Sequence, residues 1–433
     1  MDFHFDDCSC RELAATYGTP LYVVSERMVR ERLAQLRTAV LDRTPSGFAI
    51  YAAKALLTVD VCRIVADEGL GLDVVSGGEL YTAHRADFPM RHVYFHGNNK
   101  SKAELEMALK FGVGRIVVDN EDELDLLCRI ADETHTPAGI LFRITPGVDS
   151  HTHEYISTGQ VDSKFGIPLE GPALERSVNR AMQNGYLEPV GYHFHVGSQL
   201  FSNESHRKAT SVLFDVIRKM REATGFTPTE LDLGGGYGVW YTESDTPQSL
   251  DHFIDPLWDD VHTYSDRIGI APPRIVVEPG RWVVAEAGIT LYTVGSVKTI
   301  PDVRTYVAVD GGMTDNPRPA LYNARYSATI ADRADDPADT LVTVAGKCCE
   351  SGDILIHNVH LQNPKPGDTL VVFSTGAYNF SMASTYNRLP RPALVMTNNG
   401  AHRLSVRRET YEDLVEREIG AAARASDEGA RLC

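Results

Sequence analysis

The sequence predicts an α/β chain in which a closed TIM-type (β/α)8 barrel is joined to a second, mainly β domain of sandwich- or barrel-like form. Two observations predict it. Between residues 47 and 280, eight short apolar runs alternate with segments of helical spacing. Beyond about residue 288 the helical segments thin out while strand-like runs continue. Strands alternating with helices imply parallel βαβ units, and eight of them match a closed barrel better than an open doubly wound sheet.

The eight runs are 47–53, 71–75, 92–95, 115–118, 139–144, 190–196, 230–233 and 274–277. Most are rich in Val, Ile, Leu, Phe or Tyr and are followed by Gly, Asp, His or Pro. The segments 56–67, 102–110, 121–131, 172–182 and 208–222 have helical periodicity. Residues 145–170 read as an extended functional loop. In the second domain the strand-like runs are 290–297, 305–309, 340–344, 353–356 and 369–373. The strand-like stretch 20–24 assigns the N-terminal segment to this domain as well. The predicted division is therefore 1–40 and 289–433 for the β domain and 41–288 for the barrel. The charged, Ala-rich tail from Glu412 reads as a surface helix with a loose end.

Composition narrows the function. With 433 residues, 43% hydrophobic and 23% charged, the chain suits a globular protein large enough for two domains. A formal net charge of -17 repels phosphate backbones, which argues against a general nucleic-acid or anionic-membrane role. No apolar run reaches the length of a bilayer span, and the acidic start Met1-Asp-Phe-His-Phe-Asp-Asp is unlike a signal peptide. A cytoplasmic location is expected. Seven cysteines without framework-like spacing fit reduced thiols. Cys8-Ser-Cys10 has no second ligand pair at zinc spacing.

Barrel active sites form at the C-terminal ends of the strands. There, run after run, stand residues capable of chemistry: Lys54, Ser76-Gly-Gly-Glu79, His96, Arg143, His195 with Ser198, Gly234-Gly235-Gly236, and Glu278-Pro-Gly280-Arg281. Strand alternation places Ile50, Ala52 and Lys54 on one face. A lysine there either snorkels to solvent or serves as a Schiff-base amine for an aldehyde cofactor, favoured by desolvation. The three glycines can expose successive amides to an anion or simply make a tight turn. Glu278 and Arg281 can form an ion pair. His193 and His195 share a strand face and can ligate a metal, as can His151 and His153, though no carboxylate pair completes the set. His193 also suits a core histidine bonded to backbone. In the second domain, Arg318 and Tyr322 offer a carboxylate clamp, and Cys348-Cys349-Glu350 and Gly376-Ala-Tyr378 stand out.

These residues form strings that closely resemble the diaminopimelate decarboxylases, within the fold-type III pyridoxal-phosphate-dependent decarboxylase family. The strings include Tyr51-Ala-Ala-Lys54-Ala, Asp73-Val-Val-Ser-Gly-Gly-Glu79-Leu, His193-Phe-His195-Val-Gly-Ser198-Gln, Leu231-Asp-Leu-Gly-Gly-Gly236 and Glu278-Pro-Gly-Arg281. Arg318-Pro-Ala-Leu-Tyr322, Cys349-Glu-Ser-Gly-Asp353 and Gly376-Ala-Tyr378-Asn-Phe-Ser-Met-Ala-Ser384 continue the order. The resemblance runs from about residue 20 to about residue 395.

The resemblance implies pyridoxal 5'-phosphate as cofactor and decarboxylation of meso-diaminopimelate to L-lysine. Lys54 would carry the Schiff base, His195 would stack on the pyridine ring, and Glu278 would keep the ring nitrogen protonated. Asp73, Arg143, Ser198, Gly234, Gly235, Gly236, Gly280, Arg281 and Tyr378 would surround the cofactor. Arg281, Arg318, Tyr322, Glu350 and Tyr378 would bind the substrate, and Cys349 would protonate the carbanion. The family likeness also implies a homodimer in which Cys349, Glu350 and Tyr378 cross the interface. Trp282 and Lys347 depart from the family's usual pattern. Other readings of the same residues are a relative acting on lysine, ornithine, arginine or another amino acid, a silent regulatory relative, and a metal-dependent hydrolase.

Overall fold

The computed structural model describes residues 2–42, 47–148 and 162–419. The chain divides into two compact units, Met28–Ala285 and a second built from Met1–Arg27 with Glu286–Cys433.

Within the first unit, eight parallel strands close a barrel: Gly47–Ala52 (β1), Gly71–Val74 (β2), Val93–Phe95 (β3), Arg115–Val118 (β4), Ala138–Arg143 (β5), Leu187–His193 (β6), Glu230–Asp232 (β7) and Arg274–Val277 (β8). All eight lie within or overlap the apolar runs of the sequence. Short strands that are covered on both faces read as continuous apolar runs, which is why all six residues of β1 are buried. Phe48, Ile50, Tyr94, Val117, Leu141, Val190 and Val276 form one core cluster inside the barrel. Below it, Glu230 at the start of β7 accepts from Tyr94 Oη at 2.8 Å and is paired with Arg115 at 3.2 Å and Arg274 at 3.6 Å.

Strand parity then positions the site. Two residues beyond Tyr94, Val117, Leu141 and Val276 of the apolar layer stand His96, Asp119, Arg143 and Glu278, joined by Asp73, His193 and Asp232 on their own strands, all buried. Helix caps set the turns between. Ser76 Oγ accepts from Glu79 N at 3.2 Å, and the Glu79 carboxylate accepts from Val75 N at 2.7 Å. The Ser76-Gly-Gly-Glu79 string is thus a helix start.

The second unit is a sheet of order Ile354–Leu361, Thr340–Ala345, Arg304–Val309, Gly288–Ile300, Leu21–Ser25, Ala393–Asn398 and Ala401–Val406, with Thr369–Val372 also pairing to Gly288–Ile300. Leu21–Ser25 is antiparallel to Gly288–Ile300 and parallel to Ala393–Asn398, which builds the N-terminal segment into the sheet.

Two details depart from the sequence reading. The first boundary falls at Arg27, not near residue 40, because helix Glu26–Val40 buries Val29, Leu33 and Leu36, and its Arg30 pairs with Glu68 of the barrel unit at 3.0 Å. The strands Ala328–Ile330, Ala393–Asn398 and Ala401–Val406 went unread. For the last pair a signal existed. Asn399 and Gly400 have φ of 49° and 81°, the left-handed pair that a two-residue hairpin turn requires. His151 and His153, much of the 145–170 loop and the end of the C-terminal tail lie outside the described residues.

Candidate active site

The barrel mouth is built around Glu278, which follows β8. His193, the last residue of β6, donates through Nε2 to Glu278 Oε2 at 3.3 Å. His96, just past β3, brings its Nε2 to 2.9 Å from Glu278 Oε1, without hydrogen-bond alignment, and to 3.7 Å from Asp73 Oδ1. The two imidazoles meet edge to face, centroids 4.7 Å apart.

Electrostatics assign the charges. Burial pushes the Glu278 carboxyl up, but His96 and His193 outweigh it and hold it well below the usual carboxylate range. Burial, then the Glu278 charge, pushes Asp232 well up, so the neighbouring carboxyl keeps its proton. Burial also raises Asp73 and lowers His193 to about 3. The site therefore concentrates one anion at Glu278.

Lys54 departs from the strand reading. The strand ends at Ala52, and Lys54 sits in the 3-10 turn Ala53–Ala55, exposed between two buried alanines. Its charge is met chiefly by solvent; burial raises the nearby Asp73 and Glu79 carboxyls, and Lys54 opposes that rise only in part. His195 also lies beyond its strand, half-buried, rather than sharing a strand face with His193. Burial and the Lys54 charge hold it well below the usual imidazole range, so it is neutral. His193 turns to Glu278 rather than to backbone.

The glycine run is tightly packed. A Cβ at Gly235 would lie 2.2 Å from Glu278 O, and one at Gly236 would lie 2.0 Å from Gly197 O. Gly234 N donates to Asp232 Oδ1 at 3.0 Å, while Gly235 N reaches His195 Nδ1 at 3.4 Å, a long contact that a better acceptor can displace. Arg281 is buried, and its guanidinium donates to Ser198 Oγ at 3.0 and 3.2 Å and to Tyr241 Oη at 2.6 Å. Arg143 stacks on Phe165 at 4.2 Å and lies 3.9 Å from Asp119. Gly280 packs on Ala52, with no room for a Cβ.

The family "Pyridoxal-dependent decarboxylase, pyridoxal binding domain" matches residues 26–285. The chain is 48% identical over 407 residues to diaminopimelate decarboxylase from Bacillus subtilis, covering 94% of this chain and 93% of that one. This chain belongs to the diaminopimelate decarboxylase family. Among solved structures, diaminopimelate decarboxylase from M. jannaschii matches with a TM-score of 0.90 at 34% identity, covering 96% of each chain; the same match holds for its co-complex with L-lysine.

The residues fit the family's cofactor. Asp73 Oδ1, His96 Nε2, His193 Nδ1, Asp232 Oδ2 and Glu278 Oε1 are buried without hydrogen-bond partners, and such a cluster calls for a polar ligand group. An ionised Glu278, whose Oε1 has His96 Nε2 beside it at 2.9 Å but makes no aligned hydrogen bond, has acceptor capacity left for the N–H of a pyridinium ring. The ligand atoms of His96, His193 and Glu278 also lie within 4.8 Å of one another, a donor set close enough for a cation. The histidine pair of the sequence reading, His193 with His195, is a different set.

In the β unit, Arg318 opens a short helix, Arg318–Tyr322, and is buried, donating to Tyr326 Oη at 2.5 Å. Tyr322 and Tyr378 are half-buried, and Cys349 and Glu350 are exposed. Tyr378 has φ 63°, a left-handed backbone that a tyrosine adopts only under constraint. Asp353 shapes the Cys349 loop by accepting from Met313 N and Cys348 N at 2.7 and 2.8 Å, and Cys349 N donates to Asn387 Oδ1 at 2.7 Å. Trp282 is buried beneath the Arg32 guanidinium at 4.6 Å, while Lys347 is exposed. The sequence reading missed Asp119, Asp232, Tyr241 and Tyr326 as supporting groups. Asp119 and Asp232 had a legible signal, since each stands two residues after an inward strand position.

Proposed function

We propose that this chain decarboxylates meso-diaminopimelate to L-lysine and carbon dioxide with pyridoxal phosphate as cofactor. The observation that carries the reading is Glu278 at the barrel mouth with His193 and His96 against its carboxylate, in a chain whose family likeness runs along nearly its whole length. When bound, the cofactor supplies an electron-withdrawing ring and an aldehyde carbon. Lys54 is the amine that holds it, and its exposure at the mouth leaves it reachable. Glu278 keeps the ring nitrogen protonated, and the neutral His195 covers a ring face without adding a competing charge. Asp73, Arg143, Ser198, Gly234, Gly235, Gly236, Gly280, Arg281 and Tyr378 would hold the cofactor, with the glycine amides toward its phosphate.

Substrate choice follows from charge. Arg281 and Arg318, with Tyr322 and Tyr378, take the distal carboxylate, and Glu350 takes the distal ammonium. Cys349 Sγ delivers a proton to the carbon that has lost its carboxylate. Cys349, Glu350 and Tyr378 come from the partner subunit of a homodimer; the exposure of Cys349 and Glu350 supports this. The protein works in the cytoplasm, a reading supported by free thiols at Cys8, Cys10, Cys62, Cys128, Cys348 and Cys349. Among the described residues, no helix is long and apolar enough to cross a membrane.

Carbon dioxide release from meso-diaminopimelate, lysine, ornithine and arginine tests the reading. Release from meso-diaminopimelate alone is expected; preference for ornithine or arginine would overturn the substrate assignment. Arg318→Ala should lower diaminopimelate turnover roughly tenfold to a hundredfold, as for a lost hydrogen bond to a charged group, while the bound cofactor's absorbance stays unchanged. Equal loss of both would remove the clamp.

A further inference from the structure

We infer that His96 is a positioning residue for this reaction: together with His193 it clasps Glu278, one imidazole to each carboxylate oxygen, and so holds the carboxylate ionised and aimed at the ring nitrogen. The inference rests on the reading that Glu278 faces that nitrogen.

The geometry separates the two histidines. His193 engages Oε2 in a hydrogen bond at 3.3 Å. His96 stands 2.9 Å from Oε1, and the same Nε2 is 3.7 Å from Asp73 Oδ1, so it faces two carboxyls at once. The rings meet edge to face at 77°, each presenting its Nε2 to a different oxygen of the carboxylate.

His96 is also fixed from behind. Its amide donates to Val74 O at 2.8 Å. The next residue, Gly97, is pinned by the buried Lys100, whose Nζ donates to Gly97 O at 2.8 Å, Val117 O at 2.7 Å and Glu123 Oε1 at 2.8 Å. A buried lysine with all three donors used is an anchor, and here it anchors the turn that delivers the imidazole.

The surroundings explain why a clasp is needed. Asp73 and Asp232 crowd Glu278 with carboxyls, Tyr237 adds a phenol, and Arg143 and His195 lie farther round the mouth. A buried carboxylate in such company takes up a proton unless a cation or strong donor stands against it. Burial makes His193 a neutral donor. His96, with its Nε2 between two carboxyls, is the second imidazole set against the Glu278 carboxylate. A protonated Glu278 could not stabilise a pyridinium, so the clasp tunes the ring's proton affinity.

The test uses the holoenzyme with His96→Leu and His96→Gln. The pH titration of the bound cofactor's absorbance is recorded, with cofactor dissociation, thermal midpoint, kcat and KM. Without His96 the Glu278 carboxylate is more basic and competes for the ring nitrogen's proton, so the protonated ring gives way at lower pH. The expected result is a spectral midpoint lower by about one unit in His96→Leu, with a smaller shift in His96→Gln, which keeps a donor. A kcat lower by about tenfold at unchanged KM should accompany it. If the midpoint stays put in both variants while kcat or the thermal midpoint falls, His96 is merely structural and the inference is overturned. Glu278→Gln separates the two levels. If it too leaves the titration unmoved, the assignment of Glu278 itself fails; if it shifts the titration and neither His96 variant does, only the clasp fails.

Discussion

Two arginines assigned to anions each carry a tyrosine partner. Arg281 meets Tyr241 Oη at 2.6 Å, and Arg318 meets Tyr326 Oη at 2.5 Å. A phenol accepts from a guanidinium without neutralising it, so each arginine is aimed while its charge stays available. Tyr241→Phe leaves the ring packing and removes only the acceptor. It should weaken cofactor binding by about tenfold, in line with one hydrogen bond to a charged group, read by equilibrium dialysis of pyridoxal phosphate. An unchanged affinity would mean that Ser198 orients Arg281 alone. Lys54→Ala should abolish the visible absorbance of the bound cofactor while the fold stays intact by circular dichroism. Persistence of that absorbance would move the amine elsewhere.

At the level of elements, the barrel strands are stacked ladders of inward positions, apolar below and polar above. Gly191 in β6 shows how closely they fit: a Cβ there would lie 1.7 Å from Glu230 O on β7. Gly191→Ala must push two parallel strands apart, and the adjacent His193 and Asp232 ride on those strands. The variant should lose about 2 kcal/mol or more of stability, measured as a lower urea midpoint at unchanged slope. No loss would mean that the strands can shift without cost. Much at this scale was legible. Apolar runs of strand length, bounded by polar residues, identified all eight barrel strands because both faces of a parallel strand are buried. The ends were less legible. Lys54 and His195 continue their strands' residue order but leave their geometry, because the chain must turn into the connecting segment, and residue spacing alone does not mark where the ladder stops.

For the molecule as a whole, the β unit carries a pH liability in Asp315. Its carboxyl is pushed up to about 7, chiefly by burial, against the pull of Tyr292 and the amide of Gly312. A buried acid with a raised pKa favours folding when protonated. Its contribution is complete below about pH 4 and is lost as pH rises through about 7. Asp315→Asn keeps the shape and removes the titration. The parent's thermal midpoint should therefore fall between pH 4 and 7 more steeply than the variant's. Identical profiles would show that Asp315 does not titrate in this range. Assembly is tested by mixing inactive Lys54→Ala and Cys349→Ala subunits. Restored activity is expected if each site draws Lys54 from one subunit and Cys349 from the other; no recovery would confine the site to one chain.

The sequence by itself determined the layout: which runs become strands, that eight of them close, and which chemical groups stand at their C-terminal ends. Period-2 alternation and burial are local properties, so a linear reading captures them. Only the tertiary structure decided which of those groups meet. His193 was legible as an inward histidine, but its partner was not, since Glu278 lies 85 residues away and His96 97 residues before His193. The charge of Glu278, the proton on Asp232 and the exposure of Lys54 are properties of that meeting. They arise from desolvation and from neighbours a few ångströms away, and neither is written in spacing along a chain.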